Sequence, residues 1–174
     1  MLGKGILFLD IDGVLNSIEH ARFRLTRDGQ SRRDVLMALH EKRTALDLML
    51  LDEKLVELLA KFVIQHKLHI VITSTWRENS SPLHFQMLFG LCGHPLPTGT
   101  VIGLTPVLDH LSQNKRGHEI QSYLDNEKVS LPYVVLDDDV GIFLEGQPVI
   151  NTSINTGLTK KNLNDALKLL ASSQ

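Results

Sequence analysis

Residues 6–16 read ILFLDIDGVLN, an apolar run that stops at two aspartates, Asp10 and Asp12, followed by Gly13. An unbroken apolar run suits a strand covered on both faces, so Gly5 to Leu9 is predicted to be a buried strand. Side chains along a strand alternate with period two, so Asp10 and Asp12 start on the same side of the chain as it leaves the sheet. Two carboxylates this close repel unless a cation lies between them or one is protonated. Gly13 lets the backbone turn sharply after them. Without that chemistry, the run would be a strand ending in solvated acids.

Outward from this strand, helical and extended patterns alternate. Asp52 caps a predicted helix in which Leu55, Leu58, Leu59, Phe62 and Val63 share one face. Leu68 to Ile72 (LHIVI) is a second buried strand, with Thr73, Ser74 and Thr75 at its exit. Pro82 to Leu91 is predicted helical, with Leu83, Met87, Leu88 and Leu91 on its apolar stripe. Thr100 to Leu104 is a weaker strand. Lys115 to Leu124 is a helix with Ile120, Tyr123 and Leu124 inward. Tyr133 to Leu136 (YVVL) is a further strand that runs into Asp137, Asp138 and Asp139, and Pro148 to Asn151 is another. Thr159 caps a last helix that buries Leu163, Ala166, Leu167 and Leu170.

Strands that are almost wholly apolar and separated by helices imply an α/β fold: a Rossmann-like three-layer sandwich around a central, mostly parallel sheet. In such sheets the ligand crevice lies outside the carboxyl ends of the strands. Asp10 and Asp12, Thr73 and Ser74, and Asp137 and Asp138 each follow an apolar strand, so all are expected at one edge of the sheet.

The 174 residues suffice for one domain, 1–174, with 17–50 as a small insert or flap within it. Hydrophobic residues make up 43 % and charged residues 22 %, the mix of an ordinary globule, and the net charge of −2 gives no global field for nucleic acid or membrane. The single cysteine, Cys92, excludes an internal disulfide and is read as a small core residue. No stretch approaches the length of a membrane span, no cleavable signal pattern is found at the N-terminus, and a cytoplasmic location is expected. None of the eight histidines has metal-type spacing with another ligand.

The chain resembles the haloacid dehalogenase-like (HAD) hydrolase superfamily, whose four short motifs are found in order. LFLDIDGVL carries Asp10 and Asp12, IVITS carries Thr73 and Ser74, Lys115 opens the helix before YVVL, and VVLDDD carries Asp137 and Asp138. More narrowly, ITSTWRE, YVVLDDD and TGLTKKNL are similar to the small HAD domain of Swiss-army-knife RNA repair proteins. The resemblance covers most of the chain and leaves Ser17 to Leu50 unmatched, as a minimal or small helical cap insert.

This resemblance implies a magnesium-dependent phosphatase working through an aspartyl-phosphate. A hard cation suits an oxygen-only site and offsets the repulsion between a carboxylate and a phosphate dianion. Asp10 is then the nucleophile. Asp12 protonates the leaving oxygen and later accepts a proton from water, which asks for burial and negative neighbours to keep it protonated on arrival. The metal is held by Asp10, by the Asp12 backbone carbonyl, and by Asp137 or Asp138, a choice left open. Thr73 and Ser74 offer hydroxyls to the phosphate. Lys115 supplies the fixed positive charge, a part that Arg116 beside it could also take. Arg77 is a candidate for the remote part of the substrate or an ion pair with Glu78, and Trp76 for stacking on a base or for packing.

Asp12 also separates reactions, since carbon–halogen cleavage has no leaving oxygen to protonate. The expected partners are a phosphorylated small molecule or nucleotide, with nucleic-acid ends as a further class. His20, Arg22, Arg24, Arg27, Arg32 and Arg33 make the first half of the insert basic, suited to steering anions if it overlies the site. The alternatives are a non-catalytic module that binds a phospho-ligand or a protein, and a phosphomutase.

Overall fold

A computed structural model describes residues 4–111 and 113–172. Five strands form one sheet: β1 (Gly5–Leu9), β2 (Leu68–Ile72), β3 (Val101–Leu104), β4 (Tyr133–Asp137) and β5 (Val149–Asn151). Their order is β3-β2-β1-β4-β5, and every pairing is parallel. The most apolar segments, β1, β2 and β4, therefore occupy the centre. The α/β, Rossmann-like expectation holds.

Side-chain alternation divides the core into two layers. Leu7 and Leu9, Ile70 and Ile72, and Val134 and Leu136 pack on one face. Against them lie α3 (Lys42–Leu50), α4 (Glu53–His66), α5 (Pro82–Leu91) and α7 (Lys160–Ser172), which contribute Leu48, Leu59, Phe85 and Leu163. Ile6 and Phe8, Val71 and Val135 point to the other face, against Ile120 and Tyr123 of α6 (Lys115–Asn126). Helix α4 follows its sequence pattern, with the Asp52 carboxylate accepting from the Lys54 N–H and Lys67 in the left-handed conformation ending the helix.

Two apolar faces differ from expectation. Helix α5 buries Phe85, Leu88 and Phe89, while Leu83, Met87 and Leu91 are exposed. This helix is apolar nearly all round, so a stripe could be drawn on either side, and the bulkier phenylalanines take the core. In α7, Leu163, Ala166 and Leu170 are buried but Leu167 lies at the solvent edge. Cys92 is buried, and burial pushes its thiol up to about 11.

Residues 17–50 fold as helices α1 (Ile18–Phe23) and α2 (Arg27–Leu39), followed by α3. The segment is held down on several sides. The His84 ring lies 2.9 Å from the Asp47 carboxylate, Arg43 donates to the Asn79 carbonyl, and Arg32 pairs with Glu53 at 2.8 Å. His20 is buried, with Nε2 3.1 Å from the Met49 carbonyl. Arg32 and His20, two of the basic groups in this segment, thus serve its own packing. Among the described residues, no helix is long and apolar enough to cross a membrane.

Candidate active site at the carboxyl edge of the sheet

Beyond the last residue of β1, the ladder continues for one more step: the Asp10 N–H donates to the Leu136 carbonyl, and the Thr73 N–H donates to the Leu9 carbonyl. Period-two alternation then decides where the polar groups point. Asp10 follows Ile6 and Phe8, Thr73 follows Val71, and Asp137 follows Val135. All three have the parity of the face that carries α6.

One oxygen from each of Asp10, Asp137 and Asp138 lies within 4.8 Å of the others. Asp10 and Asp137 are buried and Asp138 is half-buried. Burial pushes the Asp10 carboxyl up to about 6, against the opposing pull of Arg116 and a hydrogen bond from Ser74. Burial, with the charge of Asp10 added, pushes Asp137 up to about 7. Burial also raises Asp138, helped by the charges of Asp139 and Asp12. Three acids that resist ionising together form a site suited to a cation. Asp139 is exposed; its N–H donates to Asp137 Oδ1 at 2.9 Å, and its own carboxylate accepts from Gly141.

Gly13 is what allows β1 and β4 to bring these groups so close. It has φ +67°, and a Cβ there would run into the Asp138 carboxylate. The Thr152 hydroxyl donates to the Gly13 carbonyl at 2.8 Å and ties the turn to the exit of β5.

Asp12 lies in the same turn, just before Gly13, and is exposed, so the burial expected of it is absent. Its carboxylate is instead held by two donors: Asn16 Nδ2 to Oδ1 at 2.7 Å, and Trp76 Nε1 to Oδ2 at 3.1 Å. Trp76 also packs against the larger core cluster. Neither contact is visible in the sequence, because Trp76 reaches Asp12 from the exit of another strand.

At that exit, Ser74 is a partner of Asp10, while Thr73 is wholly buried and its Oγ1 has no hydrogen-bond partner among the described residues. Arg77 belongs to the 3-10 turn Thr75–Arg77 and faces inward. Its guanidinium donates to the carbonyls of Thr73, Ser74, Thr105 and Pro106 and pairs with Glu119 at 2.7 Å, rather than with Glu78. Its donors are therefore occupied by the protein, and it stands as an anchor of the turn.

Lys115 and Arg116 open α6 but diverge. The Lys115 ammonium is 2.9 Å from Asp109, whereas Arg116 Nη1 is 3.9 Å from Asp10 Oδ1 and has no hydrogen-bond partner among the described residues. Both line the same cleft, and Arg116 holds the cation that reaches Asp10.

The family described as the HAD domain in Swiss Army Knife RNA repair proteins matches residues 6–163. The chain belongs to this family. Every residue of the site just described falls inside the matched segment of this HAD domain, as do α1 to α3. No curated protein and no solved structure matches the chain. HAD domains are in general hydrolases of the phosphatase kind, and this one has the acidic cluster such chemistry uses.

Proposed function

We propose that this HAD domain is a magnesium-dependent phosphatase of the cytoplasm that cleaves a phosphate monoester through an aspartyl-phosphate on Asp10, with nucleotides or nucleic-acid ends as substrates. One observation carries the reading. Asp137 Oδ2, Thr73 Oγ1 and Arg116 Nη1 are buried without hydrogen-bond partners among the described residues, and they come from separate elements around Asp10. Proteins seldom leave such atoms unmet. An acceptor, a hydroxyl and a cation together complement a metal ion and a phosphate.

Asp10, Asp137 and Asp138 would hold the ion, and an oxygen-only donor set fits magnesium. When bound, it neutralises the acids and the phosphate oxygens. The remaining work falls to the protein. Thr73 and Ser74 offer hydroxyls to the phosphoryl oxygens, and Arg116 offers its charge. An Asp10 oxygen forms a bond to phosphorus as the bond to the leaving oxygen breaks, and Asp12 gives that oxygen its proton. Water then attacks phosphorus, its proton passes to Asp12, and the bond to Asp10 breaks. Beside Arg116 a cleft of about 200 Å³, lined also by Thr75, Glu78, Lys115 and Ile142, offers room for the rest of a substrate. The exposure of Asp12 leaves the site open to water, which favours hydrolysis over phosphoryl transfer to a second substrate.

The test is release of inorganic phosphate, with and without magnesium, from nucleoside monophosphates and from oligonucleotides phosphorylated at either end. Magnesium-dependent release that is lost in Asp10→Asn supports the reading. A protein that binds these ligands but releases no phosphate is the non-catalytic alternative.

A further inference from the structure

We propose that Trp76 is the positioning residue for Asp12, fixing the carboxylate that donates the proton in the phosphatase reading above, on which this inference rests. Asp12 is exposed on a loop, and a general acid contributes only when held in one orientation. Its two partners differ in kind. Asn16 belongs to the same turn, where its Oδ1 also accepts from the Gly13 N–H at 3.0 Å, so it shapes the turn from within. Trp76 comes from the exit of β2 and reaches Asp12 Oδ2 with its indole N–H at 3.1 Å.

The indole is itself held fast. Its side chain packs against the core cluster and, with Ile11, Leu15, Leu51 and Phe85, lines a small apolar cavity. Its backbone N–H is 3.4 Å from Ser74 Oγ, and the next residue is Arg77, buried and bonded to the carbonyls on either side. Rigidity therefore passes from the Arg77–Glu119 pair through the 3-10 turn to the Trp76 ring and on to Asp12.

The chemistry of the donors adds a directional effect. An indole N–H donates and cannot accept, and the Asn16 contact is likewise through its NH₂ group. Both contacts are therefore donated to Asp12, one to each oxygen, which fixes the direction of its carboxylate. A phenylalanine would fill the same apolar space without the donor.

Trp76→Phe is the test, assayed with magnesium on an alkyl phosphate and on p-nitrophenyl phosphate. An alkoxide needs the proton of Asp12 to leave, and nitrophenolate hardly does. With folding checked by circular dichroism, kcat for the alkyl ester should fall by about tenfold or more with KM little changed, and fall much less for the nitrophenyl ester. An equal fall on both, or no fall, overturns the proposal. Trp76 is the only tryptophan, so the protein has a single indole N–H resonance. In Asp12→Ala that resonance should move upfield and its proton exchange faster; an unmoved resonance overturns the contact itself. If the unmodified protein releases phosphate neither from these esters nor from the nucleotides and oligonucleotides above, the phosphatase reading fails instead, and the resonance still reports whether Trp76 holds Asp12.

Discussion

Arg116 stands over the buried Asp10 carboxylate, Nη1 to Oδ1 3.9 Å, while Lys115 is turned away onto the exposed Asp109. Successive residues on a helix are about 100° apart, so the two side chains leave it in different directions. Arg116→Ala should lower kcat/KM by about a hundredfold or more, as loss of a transition-state donor does. Lys115→Ala should change it little. Steady-state kinetics on the two variants decide the matter, and the opposite ranking would return the cation to Lys115.

The acids predict a pH dependence with a definite sign. Asp10 and Asp137 lie at about 6 and about 7, above the ordinary 3.8. Their contribution to stability is full below about 3.8 and is lost as pH rises through 6 and 7, where the folded protein must charge both. Metal-free protein should therefore melt lower at pH 8 than these groups alone allow at pH 5. Magnesium competes with the protons, so it should raise the melting temperature more at pH 8 than at pH 5. Melts in chelator and in magnesium at both pH values test this, and Asp137→Asn should abolish most of the difference. An equal magnesium effect at both pH values would refute it.

Gly13→Ala combines a left-handed backbone with a collision against Asp138. The backbone term alone costs about 1–2 kcal/mol, and the clash adds to it. Since Asp138 must move, magnesium affinity should fall along with stability. Calorimetric titration of the variant, set beside its melting curve, separates the two losses; unchanged affinity would place Asp138 outside the metal site.

The Arg77–Glu119 pair is buried on both sides. Arg77→Met leaves Glu119 an uncompensated buried charge and should cost about 3–5 kcal/mol in denaturant unfolding. Glu119→Gln should cost less, because Arg77 keeps its four carbonyl partners. A cost for Arg77→Met within the noise of a surface mutation would mean that the turn is held by other contacts.

Much of this architecture was legible from local pattern. The runs ending at Asp10, Thr73 and Asp137 fixed three central strands, since unbroken apolar segments have little alternative to a covered sheet. Their shared polar exits then placed the site at one edge. What stayed hidden depends on direction in space. Arg77 sits in a polar motif, yet Glu119 and the carbonyls of Thr105 and Pro106 draw it inward, and nothing near it in the chain announces them. Asp12 was expected to be buried because a proton donor asks for it; the turn at Asp12 and Gly13 leaves it in solvent and within reach of Trp76. The α5 face was missed because Phe85 and Phe89 compete with Leu83 and Leu91 for the core.

The pairing order of the sheet also bears on how the molecule is made. β1 is flanked by β2 and β4, and its register with β4 joins Ile6 to Tyr133 and Leu9 to Leu136. Joining β1 to β4 thus brings together strands that have β2 and β3 between them in the sequence, a slow, long-range closure. The acidic pocket inherits that delay: Asp10 and Asp137 meet only when β4 docks beside β1, so any capacity to capture an ion arises with that pairing.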